Sequence, residues 1–315
     1  MISSLELARL SGCSQGTVDR ALHNRSGISK TTREKILALA EKHGYRPHPA
    51  ARELLTGDRR TIGAIIPSLN SVFFMDLMNT VREALNGYRF VITQVASAQQ
   101  FQDMLEEFAS LRARLALVVP PEPNVAISAS ILQSLGVASL VNPCLGRGVT
   151  NLIPDEVETG KIGTRYLLSR GHRNIVHLCP KRNSSAIEKR ARGFRAAMAE
   201  HRLTARVITD WTSNDLPQQL RKAKATAIFC HNDWLALTAM RSLTHAGVRV
   251  PADLSILGVD DSQTFTALCP DISTLHYPAE SIARAVRALI DGEPVPTIDN
   301  VTVVERATVQ DCRGH

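Results

Sequence analysis

The sequence predicts an α/β protein: a two-lobed body of parallel, doubly wound sheets preceded by a small all-α headpiece with helix-turn-helix spacing. Three observations predict it. Beyond Thr61, short apolar runs alternate with longer amphipathic stretches, the rhythm of strand and helix in a parallel sheet. That stretch is about 250 residues long, room for two such subdomains in series. The first 60 residues hold eleven Lys+Arg against six Asp+Glu, and so carry five of the seven net positive charges of the 315-residue chain. A basic head on a nearly neutral body points to polyanion binding by the head alone.

Ser4–Ser11 reads as a first helix with Leu5, Leu7, Ala8 and Leu10 apolar, ended by Gly12. Ser14 is placed to cap a second helix, its hydroxyl accepting an orphan first-turn N–H, with Val18, Ala21 and Leu22 on the inner face. Gln15, Gly16, Asp19, Arg20 and His23 face elsewhere. A third helix follows Ser29, with Ile36, Leu39, Ala40 and His43 on one stripe and Gly44 as its stop. Ala8, Gly12 and Val18 supply the close approach, turn and anchor of a helix-turn-helix, which lays its second helix in the DNA major groove. The alternative is a small helical subdomain whose glycine merely ends a helix. Asp19 is the anomaly, because a carboxylate repels phosphate. It either accepts from a cytosine amino group or pairs with a basic group outside its own helix, such as Arg9 or Lys30. RPHPAARELLTG, residues 46–57, reads as a linker with a short helix-capable run.

In the body, strands are expected at 61–66, 90–95, 115–119 and 137–141, with helices near 74–86, 99–112 and 125–135. The order repeats after Asp155: helix 157–169, strand 174–178, helix 187–200, strand 206–210, helix 216–222, strand 226–230, helix 233–246 and strand 254–259. Two such lobes leave a cleft between the carboxyl ends of their strands, where small molecules bind. Side chains suited to a polyol, whose hydroxyls each donate and accept, stand there: Asn232 and Asp233, Asp260 and Asp261, and Arg190 at the start of a helix. Each has a plainer role open to it. Asp233 and Asp155 are placed to cap helices, Asp261 to serve a turn, one of Phe73 and Phe74 to sit in the core, and Arg192 to face solvent.

The six cysteines are scattered, with no CxxC pair and no Cys/His cluster at zinc spacing, so they read as reduced thiols and no metal or other cofactor is expected. Neither a leader peptide nor an apolar run of about 20 residues is present, which points to the cytoplasm and away from membranes. No GxGxxG, P-loop, HExxH or GxSxG is found, and His172 and His231 have no evident nucleophile beside them, so no enzyme is expected.

ELARLSGCSQGTVDRAL, TTREKILALAEKHGYRPHPAARELLTG and RTIGAIIPSLNSVFF, in that order, resemble the LacI/GalR family of transcriptional repressors. SRGHRNIVHL, CHNDWLALTAMRSLTHAGVRVPADLSILGVDD and PDISTLHYP extend the resemblance over nearly the whole chain; between Tyr88 and Arg147 only the strand and helix rhythm supports it. The resemblance implies a headpiece at 1–46, a hinge helix and linker at 47–60, and a two-lobed, periplasmic-binding-protein-like effector and dimerisation domain at 61–315. The lobes would be joined by crossovers near 142–156, 274–280 and close to the C-terminus. DNA contacts then fall on Ser14, Gln15, Gly16, Thr17, Asp19, Arg20, His23, Asn24, Arg25, Arg52 and Leu54, with Leu54 the wedge for a minor-groove base step. Effector contacts fall on Phe73, Phe74, Asn142, Asp155, Arg190, Asn232 and Asp260. Asn142 stands where many members have aspartate, so the effector's hydroxyl pattern or charge is open. The implied partners are pseudo-palindromic operator double-stranded DNA, a sugar, sugar acid, polyol or sugar phosphate, and a second copy of the chain. The tail lacks leucine heptads, which argues against a tetramer. The alternative is a sugar-binding or sugar-phosphate- or nucleoside-processing protein with an accessory nucleic-acid-binding head.

Overall fold

Local signals build the headpiece. Ser3 precedes α1 (Ser4–Ser11), accepts from the Glu6 N–H, and receives the Glu6 side chain on its own N–H, a reciprocal capping box. Gly12 then takes a left-handed conformation, φ +69°, where a side chain would be strained. Ser14 Oγ accepts from the Thr17 N–H at 3.2 Å, capping α2 (Gln15–Leu22). Ser29 does the same for α3 (Lys30–Lys42) through Thr32. Leu7, Ala8, Val18, Ala21, Ile36 and Ala40 form the small shared core. The expected stripe extends too far at two ends. Leu5 and Leu10 are exposed on the outer side of α1, and His43 is an exposed C-cap, while Tyr45 packs against the core instead.

The computed structural model describes residues 2–22, 24–45, 59–181 and 184–312. These fall into two units, Met1–Arg60 and Thr61–His315. The expected hinge with Arg52 and Leu54, and also His23, lie outside the described residues.

The second unit contains two parallel sheets. The first has the order β2 (Arg89–Gln94), β1 (Thr61–Ile66), β3 (Leu115–Val118), β5 (Gly136–Ser139), β7 (Val149–Asn151). It is flanked by α4 (Val72–Ala84) and α5 (Ala98–Ser110). Period-two alternation sorts β1: Ile62, Ala64 and Ile66 join the core containing α4, and Ile65 joins the one containing α5. The second sheet has the order β11 (Ser255–Leu257), β10 (Ala227–Cys230), β8 (Ile175–Leu178), β9 (Arg206–Ile208). Its helices are α7 (Glu156–Ser169), α8 (Ser185–Glu200), α9 (Leu216–Lys222) and α10 (Asp233–His245).

One expected element is replaced. Ile127, Ile131 and Leu135 are buried at four-residue spacing, which reads as a helix stripe over 125–135. Instead β4 (Val125–Ala126) pairs with β6 (Cys144–Leu145), and the Ile127 N–H donates to the Leu145 carbonyl, leaving one helical turn, α6 (Ala129–Leu132). A pairing twenty residues away in the chain outweighs a weak local period.

The chain passes between the lobes more than once. After α11 (Gln263–Leu268) and β12 (Thr274–His276), α12 (Ala279–Asp291) packs on α4, in the first lobe. β13 (Thr302–Val304) then returns to pair with β12, and the Ile256 N–H donates to the Thr308 carbonyl at 2.8 Å. α7 and α8 touch backbone to backbone: a Cβ on Gly160 would overlap the Arg190 carbonyl, and one on Gly193 would overlap the Val157 carbonyl. That contact holds the start of α7 against the first turns of α8, where the buried charges of the cleft stand.

Candidate functional site: an exposed recognition helix and an interlobe cleft

On α2, Val18 and Ala21 point into the headpiece core, which leaves Ser14, Gln15, Gly16 and Arg20 exposed and Thr17 and Asp19 half-buried. Asn24 and Arg25 follow at an exposed corner, Asn24 with φ +52°. Gln15 Nε2 donates to Ser4 Oγ at 3.0 Å, and Arg33 reaches back to the Arg25 carbonyl. Asp19 pairs with a base outside its own helix: Arg25 Nη1 stands 3.0 Å from Asp19 Oδ2, with both side chains about half exposed. Neither Arg9 nor Lys30, the partners anticipated from sequence, is that base.

In the second unit, a cavity of about 130 Å³ opens at the carboxyl ends of β8, β10 and β11, against the start of α4. Its lining includes Phe73, Phe74, Glu156, Arg190, Asn232 and Asp260, with Tyr277 behind. Arg190 is 3% and Glu156 1% exposed. Arg190 Nε and Nη2 donate to Glu156 Oε2 at 2.9 and 2.6 Å, and Nη1 donates to the His231 carbonyl. Burial alone would lower the guanidinium pKa, but the charges of Glu156 and then Asp260 outweigh it, so Arg190 is held firmly ionised. Asp260 takes an unusual backbone, φ +123°, with its amide donating to the Leu275 carbonyl and its own carbonyl accepting from Tyr277. Burial, and then the neighbouring Asp233 charge, push its carboxyl well above the ordinary carboxylate value, against the pull of Arg190. Phe73 meets Tyr277 edge-on, centroids 4.9 Å apart, and Phe74 at 5.2 Å. Phe74 joins the hydrophobic core and Phe73 packs at its edge.

Residues 5–48 match the family profile described as bacterial regulatory proteins, lacI family, and residues 164–309 match the periplasmic binding protein-like domain. The chain thus joins a lacI-family regulatory module to a periplasmic binding protein-like domain. Among its relatives is the HTH-type transcriptional repressor PurR of Vibrio cholerae, 27% identical over 336 aligned positions that cover 99% of each chain. The lac repressor dimer bound to operator and the anti-inducer ONPF has the same fold, with a TM-score of 0.80 at 20% identity over 98% of this chain and 99% of that one. A periplasmic binding protein/LacI transcriptional regulator from Alkaliphilus metalliredigens, complexed with D-xylulofuranose, is 25% identical with a TM-score of 0.65, covering 79% of this chain and 98% of that one.

Five of the seven effector positions anticipated from the LacI-family resemblance line this one cavity: Phe73, Phe74, Arg190, Asn232 and Asp260. The other two are turned to structural work. Asn142 is buried, donates from Nδ2 to the Pro120 carbonyl, and accepts on Oδ1 from Ser184 Oγ and the Ser185 N–H, so it ties the first lobe to the start of α8. Asp155 is exposed and caps α7 by accepting from the Val157 and Glu158 N–H groups. The cap of α10 is Asn232, which accepts from the Leu235 N–H, and not Asp233. Asp233 is instead buried, accepting from Thr274 Oγ1 at 2.6 Å and the Asp261 N–H at 2.9 Å, with its carboxyl pushed up to about 6, chiefly by burial. Asp261, at φ +54° in the short link between the bridge at Asp260 and the next helix, binds Arg306 and His276. Arg192 faces solvent, and His172 is held between Thr226 and Gln310.

Glu156 and Tyr277 were missed. Glu156 looks like one more first-turn acid of a helix, and its partner lies 34 residues on. Tyr277 does follow a strand, as Asn232 and Asp260 do, and that position was the available signal.

Proposed function

We propose that this protein is a homodimeric, cytoplasmic transcriptional repressor of the LacI family whose grip on a pseudo-palindromic operator is controlled by a small sugar-like effector held between the two lobes. The reading rests on one observation: a helix-turn-helix with an exposed second helix is joined in one chain to a cleft that buries an ion pair among strand-end polar groups. The headpiece supplies Ser14, Gln15, Gly16, Thr17, Arg20, Asn24 and Arg25 toward DNA. Their hydroxyl, amide and guanidinium groups suit phosphate positioning and base-edge contact. His23, Arg52 and the wedge Leu54 belong to the same proposal. The effector would engage Arg190, Asn232 and Asp260 and change the relative orientation of the lobes, biasing the hinge between two states. The V. cholerae relative's name as a repressor and the bound D-xylulofuranose of the A. metalliredigens regulator agree with that assignment. No catalytic step is assigned.

A gel-shift titration on palindromic DNA from the neighbouring promoter tests it, with and without Leu54→Ala. Specific binding at wild-type strength by that variant removes the hinge from the proposal. Asp260→Ala should abolish the effector response while operator binding stays; loss of both in a folded protein contradicts separate sites.

A further inference from the structure

The charges around the cleft restrict what it can hold. Arg190 is the cationic side chain among the described residues lining the cavity, and it is already neutralised by Glu156. Both Glu156 bonds fall on Oε2, so Oε1 is left without a hydrogen-bond partner among the described residues. Asp260 makes no side-chain hydrogen bond among them either, although it lies within Coulombic reach of Arg190, Glu156, Asp233 and Asp76. The Tyr277 hydroxyl, on a side chain 3% exposed, is buried without a partner. The cavity therefore offers an excess of acceptors over donors. With Asp260 ionised it holds two carboxylates against one guanidinium; with Asp260 protonated the charges cancel. In neither state does an uncompensated positive charge face the cavity among the described residues.

Resting on the effector reading above, we propose that this cleft selects ligands rich in hydrogen-bond donors and free of negative charge, a neutral sugar or polyol or its amino derivative, and that Glu156 sets this selection. An acid or phosphate brought here loses its hydration and meets Glu156 Oε1 with no counter-charge among the described residues to replace it, which weakens its binding. A hydroxyl or ammonium donates to Glu156 and Asp260, while the Tyr277 hydroxyl donates or accepts as the ligand requires. Glu156 thus does two things: it holds the guanidinium in place and removes its attraction for anions.

The test is a thermal-shift screen on the full chain followed by calorimetric titration, with common monosaccharides each offered as the neutral sugar, the amino sugar, the sugar acid and the 6-phosphate or 5-phosphate. At least one neutral or amino form is expected to raise Tm, with its acid and phosphate forms at least tenfold weaker. In Glu156→Gln, checked for fold by circular dichroism, that tenfold gap should shrink or invert, because Arg190 then carries an uncompensated charge. An acid or phosphate that binds wild type as tightly as its neutral parent overturns the proposal, whatever the variant does. A gap left unchanged in folded Glu156→Gln overturns the role of Glu156. Silence from every charge form overturns instead the sugar-cleft reading on which the proposal stands.

Discussion

Arg190→Met would leave the Glu156 carboxyl at 1% exposure without its counter-ion. Removing one member of a buried pair costs about 3–5 kcal/mol, since the remaining charge has lost both water and counter-ion. The companion variant Arg190→Met with Glu156→Met removes both charges and refills the space with apolar side chains of similar length. What remains is the His231 carbonyl, which has lost the Arg190 N–H, a penalty of about 1–3 kcal/mol. The double variant should therefore be more stable than the single one, by about 2 kcal/mol. Urea unfolding at fixed protein concentration measures it, read on the fluorescence of Trp211 and Trp234, the chain's two tryptophans, both in the Thr61–His315 unit. The double variant should also keep operator binding and lose its effector response. A single-variant cost below about 1 kcal/mol, or a double variant as unstable as the single, refutes the view that the pair is a buried, mutually dependent charge unit.

Other outcomes follow from the same geometry. Asp19→Ser breaks an ion pair that is about half exposed, so stability should move by less than about 1 kcal/mol. Binding to all DNA should tighten as a repelled charge is lost, and a gel-shift panel of operator variants that instead shows relaxed preference at one base pair would make Asp19 a base reader. Gly160→Ala should gain about 1 kcal/mol of helix propensity yet destabilise by about 1–3 kcal/mol overall, because the new methyl overlaps the Arg190 carbonyl; a raised Tm in calorimetry would contradict the close α7–α8 contact. The pKa of His276 is raised, first by its hydrogen bond to Asp261 and then, against burial, by Glu280 and Asp261 charge. Its folded value therefore lies above that of the unfolded chain, and its stabilisation is full below about pH 6.5 and lost as pH rises through the folded value. With the ring 39% exposed this amounts to about 0.5 kcal/mol. Denaturant midpoints of wild type and His276→Gln should converge between about pH 6 and pH 8.5, and a gap that widens over that range has the wrong sign.

What was legible along the chain is what short-range chemistry encodes. β1 and α9 run over 61–66 and 216–222, as periodicity predicts, because apolar spacing and the turn residues at their ends act within a few positions. Ser14 and Ser29 cap their helices for the same reason. Arg190, Asn232 and Asp260 were within reach because a strand end in a parallel sheet fixes where a side chain must emerge. The stretch 125–135 misled because its buried residues fall four apart while its backbone bonds go to residues near 145.

By itself, then, the sequence determined a basic helix-turn-helix ahead of two parallel α/β lobes, and which strand ends would face a cleft. Tertiary structure alone decided what those groups do there. Asn232 rather than Asp233 caps α10, Asp233 is buried under Thr274, and Asn142 binds the two lobes where a ligand contact was expected. Asp19 found Arg25, and Arg190 found Glu156. The physical reason is common to all of them. Period and capping are set by neighbours in the chain, whereas burial, charge pairing and pKa are set by neighbours in space. The charge facing the cavity is a sum over side chains that the fold alone brings together.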